Sequence, residues 1–260
     1  MELEEGDVLE GSAERWGITR FLGQGKCCSV YEVCDQDDRM NGRRAAVKVY
    51  KKDEKYASAG MNEAQLLQML HIKEKDDDQS TFGRLFIVSL LDVFHCEGHL
   101  CLLNASLSYS LHNIFTMHGC HGNGLPLYIV QACCKDLANG LEYLKKKHVI
   151  HADIKLTNIM WNSESEVFQF VDFGLSFIEG KQPPQQIQSP GYQAPEVQEW
   201  NKNIATSHKK VSLIPHYRWI CAAVLVMCGA WLVYCFFSML ANTLFKQRKS
   251  FLLSVLSVFR

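Results

Sequence analysis

The chain has 260 residues, enough to bury one large core or two small ones. Apolar residues make up 47% and charged residues 21%, an ordinary globular composition that excludes a wholly disordered chain. A net charge of −1 excludes the strongly basic field expected of a nucleic-acid binder.

Residues 1–15 read as a polar lead-in, and MELEEGDVLE lacks the basic-then-apolar pattern of a secretory signal. The eleven cysteines form no CxxC pair and no Cys/His cluster of zinc spacing, so they read as reduced, cytosolic thiols. Apolar alternation and Gly, Asp and Asn turns predict strands around Gly17–Leu22, Ser29–Val33 and Arg44–Val49. Residues 58–72 carry apolar positions at helical spacing, a polar loop follows at 73–81, and two more strands fit Ile87–His95 and His99–Leu103. After a linker near Asn104–Tyr109, a long helix is predicted over Pro126–Lys147, striped by Ile129, Val130, Cys133, Leu137, Leu141 and Leu144. Strand and loop segments follow near Val149–Ala152 and Ile159–Val171.

The 27 residues from Trp219 to Phe245 contain no charge. At about 1.5 Å per residue a helix of that length exceeds the roughly 30 Å hydrocarbon core of a bilayer. Lys209, Lys210 and Arg218 precede it and Lys246, Arg248 and Lys249 follow, so a spanning helix is expected with no orientation fixed by charge. Cys221, Cys228 and Cys235 fall on one face of it, where small residues suit helix packing.

Several short patterns carry chemistry. Leu22, Gly23, Gly25 and Val30 form a glycine turn whose backbone can approach phosphate oxygens, with Val30 placed to pack on a base. Taken alone, such a turn is weak evidence. Lys48 ends the apolar strand Ala45-Ala46-Val47 eighteen residues after Val30, and Glu63 in the next helix could pair with it, with Glu54 as competitor. The most specific tract is Val149-Ile150-His151-Ala152-Asp153-Ile154-Lys155-Leu156-Thr157-Asn158-Ile159, with Asp172-Phe173-Gly174 beyond it and Ala194-Pro195-Glu196 further on. Agreement of all these in this order by chance is negligible.

From about Trp16 to Glu196 the chain resembles the eukaryotic protein kinase family, of serine/threonine type. The tracts HADIKLTNIMW, FVDFGLSFIEG and GYQAPE resemble the branch of the kinase that interacts with stathmin, although that branch's C-terminal RNA-recognition-like domain has no counterpart here. The resemblance implies an α+β, two-lobe protein-kinase-like fold: a five-strand N-lobe with one helix, then a mainly helical, incomplete C-lobe. A C-terminal hydrophobic helix is added to it. The segments expected are lead-in 1–15, N-lobe 16–104, partial C-lobe 105–200, linker 201–218, membrane helix 219–245 and basic tail 246–260.

It further implies ATP and Mg2+ as cofactors and Ser/Thr hydroxyls of proteins as substrates. Asp153 would take or orient the substrate proton, Lys155 would neutralise the moving phosphoryl group, and Asn158 and Asp172 would hold magnesium. Lys48, fixed by Glu63, would contact the α- and β-phosphates, with Leu22, Gly23, Gly25, Val30 and Ala46 around the nucleotide. Leu103 would be the residue at the back of the adenine site, Asn104-Ala105-Ser106 the strand connecting the lobes, and Ser189 the link from activation segment to catalytic loop. Cys28 replaces the third glycine, and Ala152 replaces the arginine that usually receives an activation-loop phosphate. The family's C-terminal third, after Glu196, is missing or replaced. The alternative is a catalytically weak, membrane-tethered module that binds nucleotide or partners. With residues 219–245 spanning, the layout is that of a tail-anchored protein whose kinase part faces the cytosol.

Overall fold

The computed structural model describes residues 3–37, 42–72, 82–119, 125–181, 186–193 and 195–206. The apolar segment 219–245 and the flanking 207–218 and 246–260 lie outside the described residues, and among those described no helix is long and apolar enough to cross a membrane. The chain divides into two compact units: Met1–Tyr109 with Met160–Gly174, and Ser110–Ile159 with the residues from Leu175 on.

The first unit is built on a six-stranded sheet of β1 (Val8–Glu10), β2 (Arg15–Gln24), β3 (Cys28–Asp35), β4 (Arg44–Tyr50), β5 (Leu90–Cys96) and β6 (His99–Ala105). The spatial order is β1-β2-β3-β4-β6-β5, with every neighbouring pair antiparallel. Six strands replace the five expected because the supposed lead-in contributes β1: Leu9 pairs with Trp16, and both are buried. A three-residue strand with two adjacent apolar side chains, Val8 exposed and Leu9 buried, leaves no alternation to read, and the long-range packing of Leu9 decides the outcome.

Side chains alternate across the sheet with period two. On β4, Ala45, Val47 and Val49 join a core with Trp16, Ile18, Val33, Phe94, Cys101 and Leu103. The opposite face of β4 presents Ala46, Lys48 and Tyr50, and there Tyr50, Leu100 and Leu102 pack with Ala64 of helix α1 (Glu54–His71). That helix starts four residues before its expected beginning, because the Asp53 side chain accepts the backbone N–H of Lys55 and caps it there. The unit is completed by β8 (Ile159–Asn162) and β9 (Val167–Phe170), which pair with each other, while Ile87 bridges to Phe170.

The second unit contains α2 (Leu111–Gly119), α3 (Leu127–Lys146), the two-stranded ribbon of β7 (Val149–Ile150) with β10 (Phe177–Ile178), a 3-10 turn over Leu156–Asn158, and α4 (Pro195–Thr206). Helix α3 buries Val130, Cys133, Leu137, Leu141 and Leu144, the stripe its spacing predicts. Helix α2, which the sequence reading did not anticipate, begins with a reciprocal cap: the Asn113 N–H donates to Ser110 Oγ at 3.1 Å, and the Ser110 N–H donates to Asn113 Oδ1 at 3.1 Å. A small core of Ala152, Ile187, Val197 and Trp200, with Ile150, Leu175 and Phe177 against it, supports the Asp153 loop.

Candidate functional site

Strand register explains how the first unit gathers its polar groups. Val30 lies opposite Lys48, Gly23 opposite Val30, Ala46 opposite Asn104, and Lys48 opposite Leu102. Partners in register project to the same side, so Val30, Ala46, Lys48, Leu102 and Asn104 share one face. Leu103, expected to stand at the back of the adenine site, instead lies opposite Val47 and belongs to the core on the other face. Asn104 takes the place facing Ala46, buried, with an amide Oδ1 that has no hydrogen-bond partner among the described residues. A one-residue offset in register reverses every side chain, and the position implied for Leu103 by the resemblance is one residue off the face that Ala46 and Lys48 share.

Lys48 Nζ stands 2.6 Å from Glu63 Oε1 and 2.8 Å from Asp172 Oδ1. Glu63, not its competitor Glu54, is the partner, and it is fully buried. Its Oε1 also accepts the Phe173 N–H at 3.1 Å, and its Oε2 accepts the Tyr50 hydroxyl at 2.5 Å. Burial by itself pulls the Lys48 ammonium down, but Asp172 and then Glu63 outweigh it and hold the group above the usual lysine range. The lysine is therefore a fixed cation rather than a titrating group. Asp172 carries a left-handed backbone (φ 64), a conformation sparsely used by non-glycine residues, and its side chain is 45% exposed.

The glycine turn is closed by a bond from Gly25 N–H to the Cys28 carbonyl at 2.8 Å, and the Lys51 N–H donates to the Cys27 carbonyl at 3.0 Å. No atom would meet a Cβ at Gly23, so its backbone borders open space. Leu22 is exposed beside it. Cys28, where a third glycine was expected, has its thiol pushed up to about 12 by burial, so it is neutral.

In the second unit the residues of the Asp153 loop converge. Asp153 Oδ2 accepts from Lys155 Nζ at 2.8 Å and from Asn158 Nδ2 at 3.0 Å, and the same Nδ2 reaches the Asp153 carbonyl at 2.8 Å. Oδ1 accepts both the N–H and the hydroxyl of Ser189, at 3.0 and 2.8 Å, while Lys155 Nζ also donates to Ser189 Oγ at 2.9 Å. Asp153 and Asn158 are buried. The Gln188 N–H donates to the Ala152 carbonyl, and Asn201 on α4 both donates to and accepts from the Ile187 backbone, so the segment carrying Ser189 is tied down on two sides. Sequence reasoning named Ser189, and Asn104 as part of the connecting strand, but not Asn201 or Tyr50, neither of which belongs to a short motif. Ala194 and the Glu196 side chain lie outside what the structure describes.

Among the described residues no cluster of three or more metal-ligating side chains occurs. Magnesium takes one or two protein oxygens and completes its shell with water and phosphate. Asp172 offers a carboxylate, and Asn158, whose amide nitrogen is committed to Asp153, offers its Oδ1.

A buried cation clamped by carboxylates on a sheet, together with a carboxylate loop locked by lysine, asparagine and serine, marks a protein that handles phosphoryl groups. Residues 16–211 match the protein kinase domain family, and the chain belongs to it. It is 32% identical over 197 residues to serine/threonine-protein kinase Kist of Homo sapiens, covering 73% of this chain and 45% of Kist, with the same figures for the Mus musculus protein. Against the probable serine/threonine-protein kinase dyrk2 of Dictyostelium discoideum it is 31% identical over 186 residues, 71% of this chain and 19% of that protein. The chain thus spans less than half the length of these curated relatives. A crystal structure of a kinase domain superposes with a TM-score of 0.63 at 23% identity, covering 76% of this chain and 60% of that one, which shows the two-lobe fold. The family shown is that of protein kinase domains, and the likeness to Kist agrees with the branch that HADIKLTNIMW and FVDFGLSFIEG resemble.

Proposed function

We propose that the chain transfers the γ-phosphoryl group of ATP, with magnesium, to serine or threonine hydroxyls of protein substrates. The observation that carries this is the Asp153 loop, where one buried carboxylate is oriented by Lys155, Asn158 and Ser189 at 2.8 to 3.0 Å. Asp153 orients the attacking hydroxyl and receives its proton. Lys155 places a positive charge beside that carboxylate, where charge develops on the moving phosphoryl group. Lys48, fixed by Glu63, meets the α- and β-phosphates, while Gly23 and Gly25 let backbone approach the phosphates and Leu22, Val30 and Ala46 enclose the base. Asn158 and Asp172 hold magnesium, which neutralises phosphate charge when bound. Because Asp153 is preset by protein donors, catalysis rests on positioning and electrostatics.

Phosphoamino-acid analysis of a protein substrate labelled by the full chain tests this assignment. Label on serine or threonine is expected, and label confined to tyrosine would contradict it.

The second reading is a catalytically weak nucleotide-binding or regulatory module. Nucleotide binding without transfer would favour it. We also propose that residues 219–245 insert into a membrane, with the kinase part in the cytosol where ATP is available; the uncharged run and its basic flanks support this. Resistance of the full chain to alkaline extraction from membranes is the expected result, and complete release would contradict it.

A further inference from the structure

Tyr50 lies two residues beyond Lys48 on the same face of β4, so the strand presents an ammonium and a phenol side by side to helix α1. Both meet one carboxylate. Glu63 Oε1 takes Lys48 and the Phe173 N–H, and Oε2 takes the Tyr50 hydroxyl at 2.5 Å. Glu63 and Tyr50 are both buried, so without that hydroxyl Oε2 would face the interior with no donor the structure supplies. Burial, and next the negative charge of Glu63, push the Tyr50 phenol well above the usual tyrosine range, so it remains a donor.

A second observation involves α1 itself. Gly60 lies one turn before Glu63, and a Cβ there would come within 2.9 Å of Tyr50 Cδ2 and Cε2 and 2.8 Å of Leu100 Cδ2. Glycine inside a helix is unfavourable relative to alanine, and its presence at this point lets the helix backbone sit directly on the tyrosine ring. The Tyr50 carbonyl is held in turn by His99 Nδ1 at 2.7 Å, which ties the end of β4 to β6. Ring against Gly60 and hydroxyl against Glu63 together fix both the height and the rotation of α1 on the sheet.

We propose that Tyr50 is a positioning residue of the nucleotide site, whose hydroxyl latches α1 so that Glu63 stays against Lys48. It touches neither nucleotide nor substrate and acts through Glu63; the inference rests on the assignment of Lys48 and Glu63 to phosphate binding made above. A phenylalanine at this position would fill the same volume and keep the contact with Gly60, which isolates the hydroxyl. A merely structural tyrosine would lower stability without altering how Lys48 meets phosphate.

The experiment is a double-mutant cycle on the full chain, with Tyr50→Phe, Lys48→Met and the pair, reading Mg-ATP affinity by calorimetry and KM against kcat in phosphate transfer. Tyr50→Phe should weaken Mg-ATP binding and raise KM about tenfold, with a smaller change in kcat. In the Lys48→Met background the same change should have almost no further effect on affinity, because the latch acts through the lysine. Hydrogen exchange in residues 60–67 of Tyr50→Phe should rise relative to the wild type, a readout that needs no enzymatic activity. Exchange and affinity both unchanged, or equal losses of affinity in the two backgrounds, would overturn the latch. If the wild type binds no nucleotide, the proposed function fails, while the exchange comparison still decides whether Tyr50 holds α1.

Discussion

Lys48 remains charged although burial opposes it, because Asp172 and Glu63 lie 2.8 and 2.6 Å from its ammonium. Replacing it with methionine leaves Glu63 buried beside an apolar side chain and removes the fixed cation. Lys48→Met should lower the rate of transfer by about 10²- to 10³-fold, measured as kcat/KM for ATP on protein shown to be folded. Cys28 titrates in the opposite sense to an activated thiol. With its folded value at about 12 against an ordinary 9.0, the folded state keeps a proton that the unfolded chain loses as pH rises past 9. Its contribution to stability is therefore constant below pH 9 and declines from pH 9 to 12. Alkylation of Cys28 at pH 8 should be about 10³-fold slower in the native protein than in the denatured chain, as read by peptide mass mapping. A rate equal to that of the denatured chain would contradict a buried, neutral thiol. The pairing of Lys48 with Glu63 and the cluster of Asp153, Lys155 and Asn158 were legible because those residues stand in short, recognisable tracts of the chain. The facing of Asn104 was not, since meeting Ala46 rather than Val47 depends on a register no local pattern records.

Helix α1 holds a glycine where propensity favours alanine. Gly60→Ala would gain about 1 kcal/mol of helix propensity yet drive a methyl into the Tyr50 ring and Leu100, an overpacking that costs about 1–3 kcal/mol. Net destabilisation is expected by urea unfolding, and a stabilised variant would show that the helix can ride away from the sheet. At the other end of the described chain, α4 holds the Ser189 segment through two bonds between Asn201 and the Ile187 backbone, at 2.9 and 3.3 Å. Asn201→Ala should raise amide exchange across residues 187–189 by about tenfold or more and leave α1 unchanged. Unchanged protection there would show that the Gln188 bond to Ala152 suffices. The long amphipathic helix α3 was readable from its stripe, as were the strands with β-branched alternation. Strand β1 and helix α2 were not. The first owes its existence to Leu9 packing with Trp16, and the second to the exchange of bonds between Ser110 and Asn113, too brief a signal to separate from a loop.

In the whole molecule the two units do not follow the chain in simple succession. Residues 160–174 return to the sheet unit and bring Asp172 to Lys48, more than a hundred positions away in sequence. A boundary near residue 104 follows from the order of the expected elements, and the return of Asp172-Phe173-Gly174 to the sheet unit is a tertiary event that element order does not record. Each unit holds part of the residue set proposed for phosphoryl transfer, Lys48, Glu63 and Asp172 in one and Asp153, Lys155 and Asn158 in the other. Transfer of labelled phosphate from ATP with magnesium, comparing the full chain with Asp172→Asn and Asp153→Asn, tests that assignment most directly. Transfer by the wild type, reduced by about 10³-fold or more in both variants, is the expected result. No transfer by folded wild-type protein, or undiminished transfer by either variant, would contradict it.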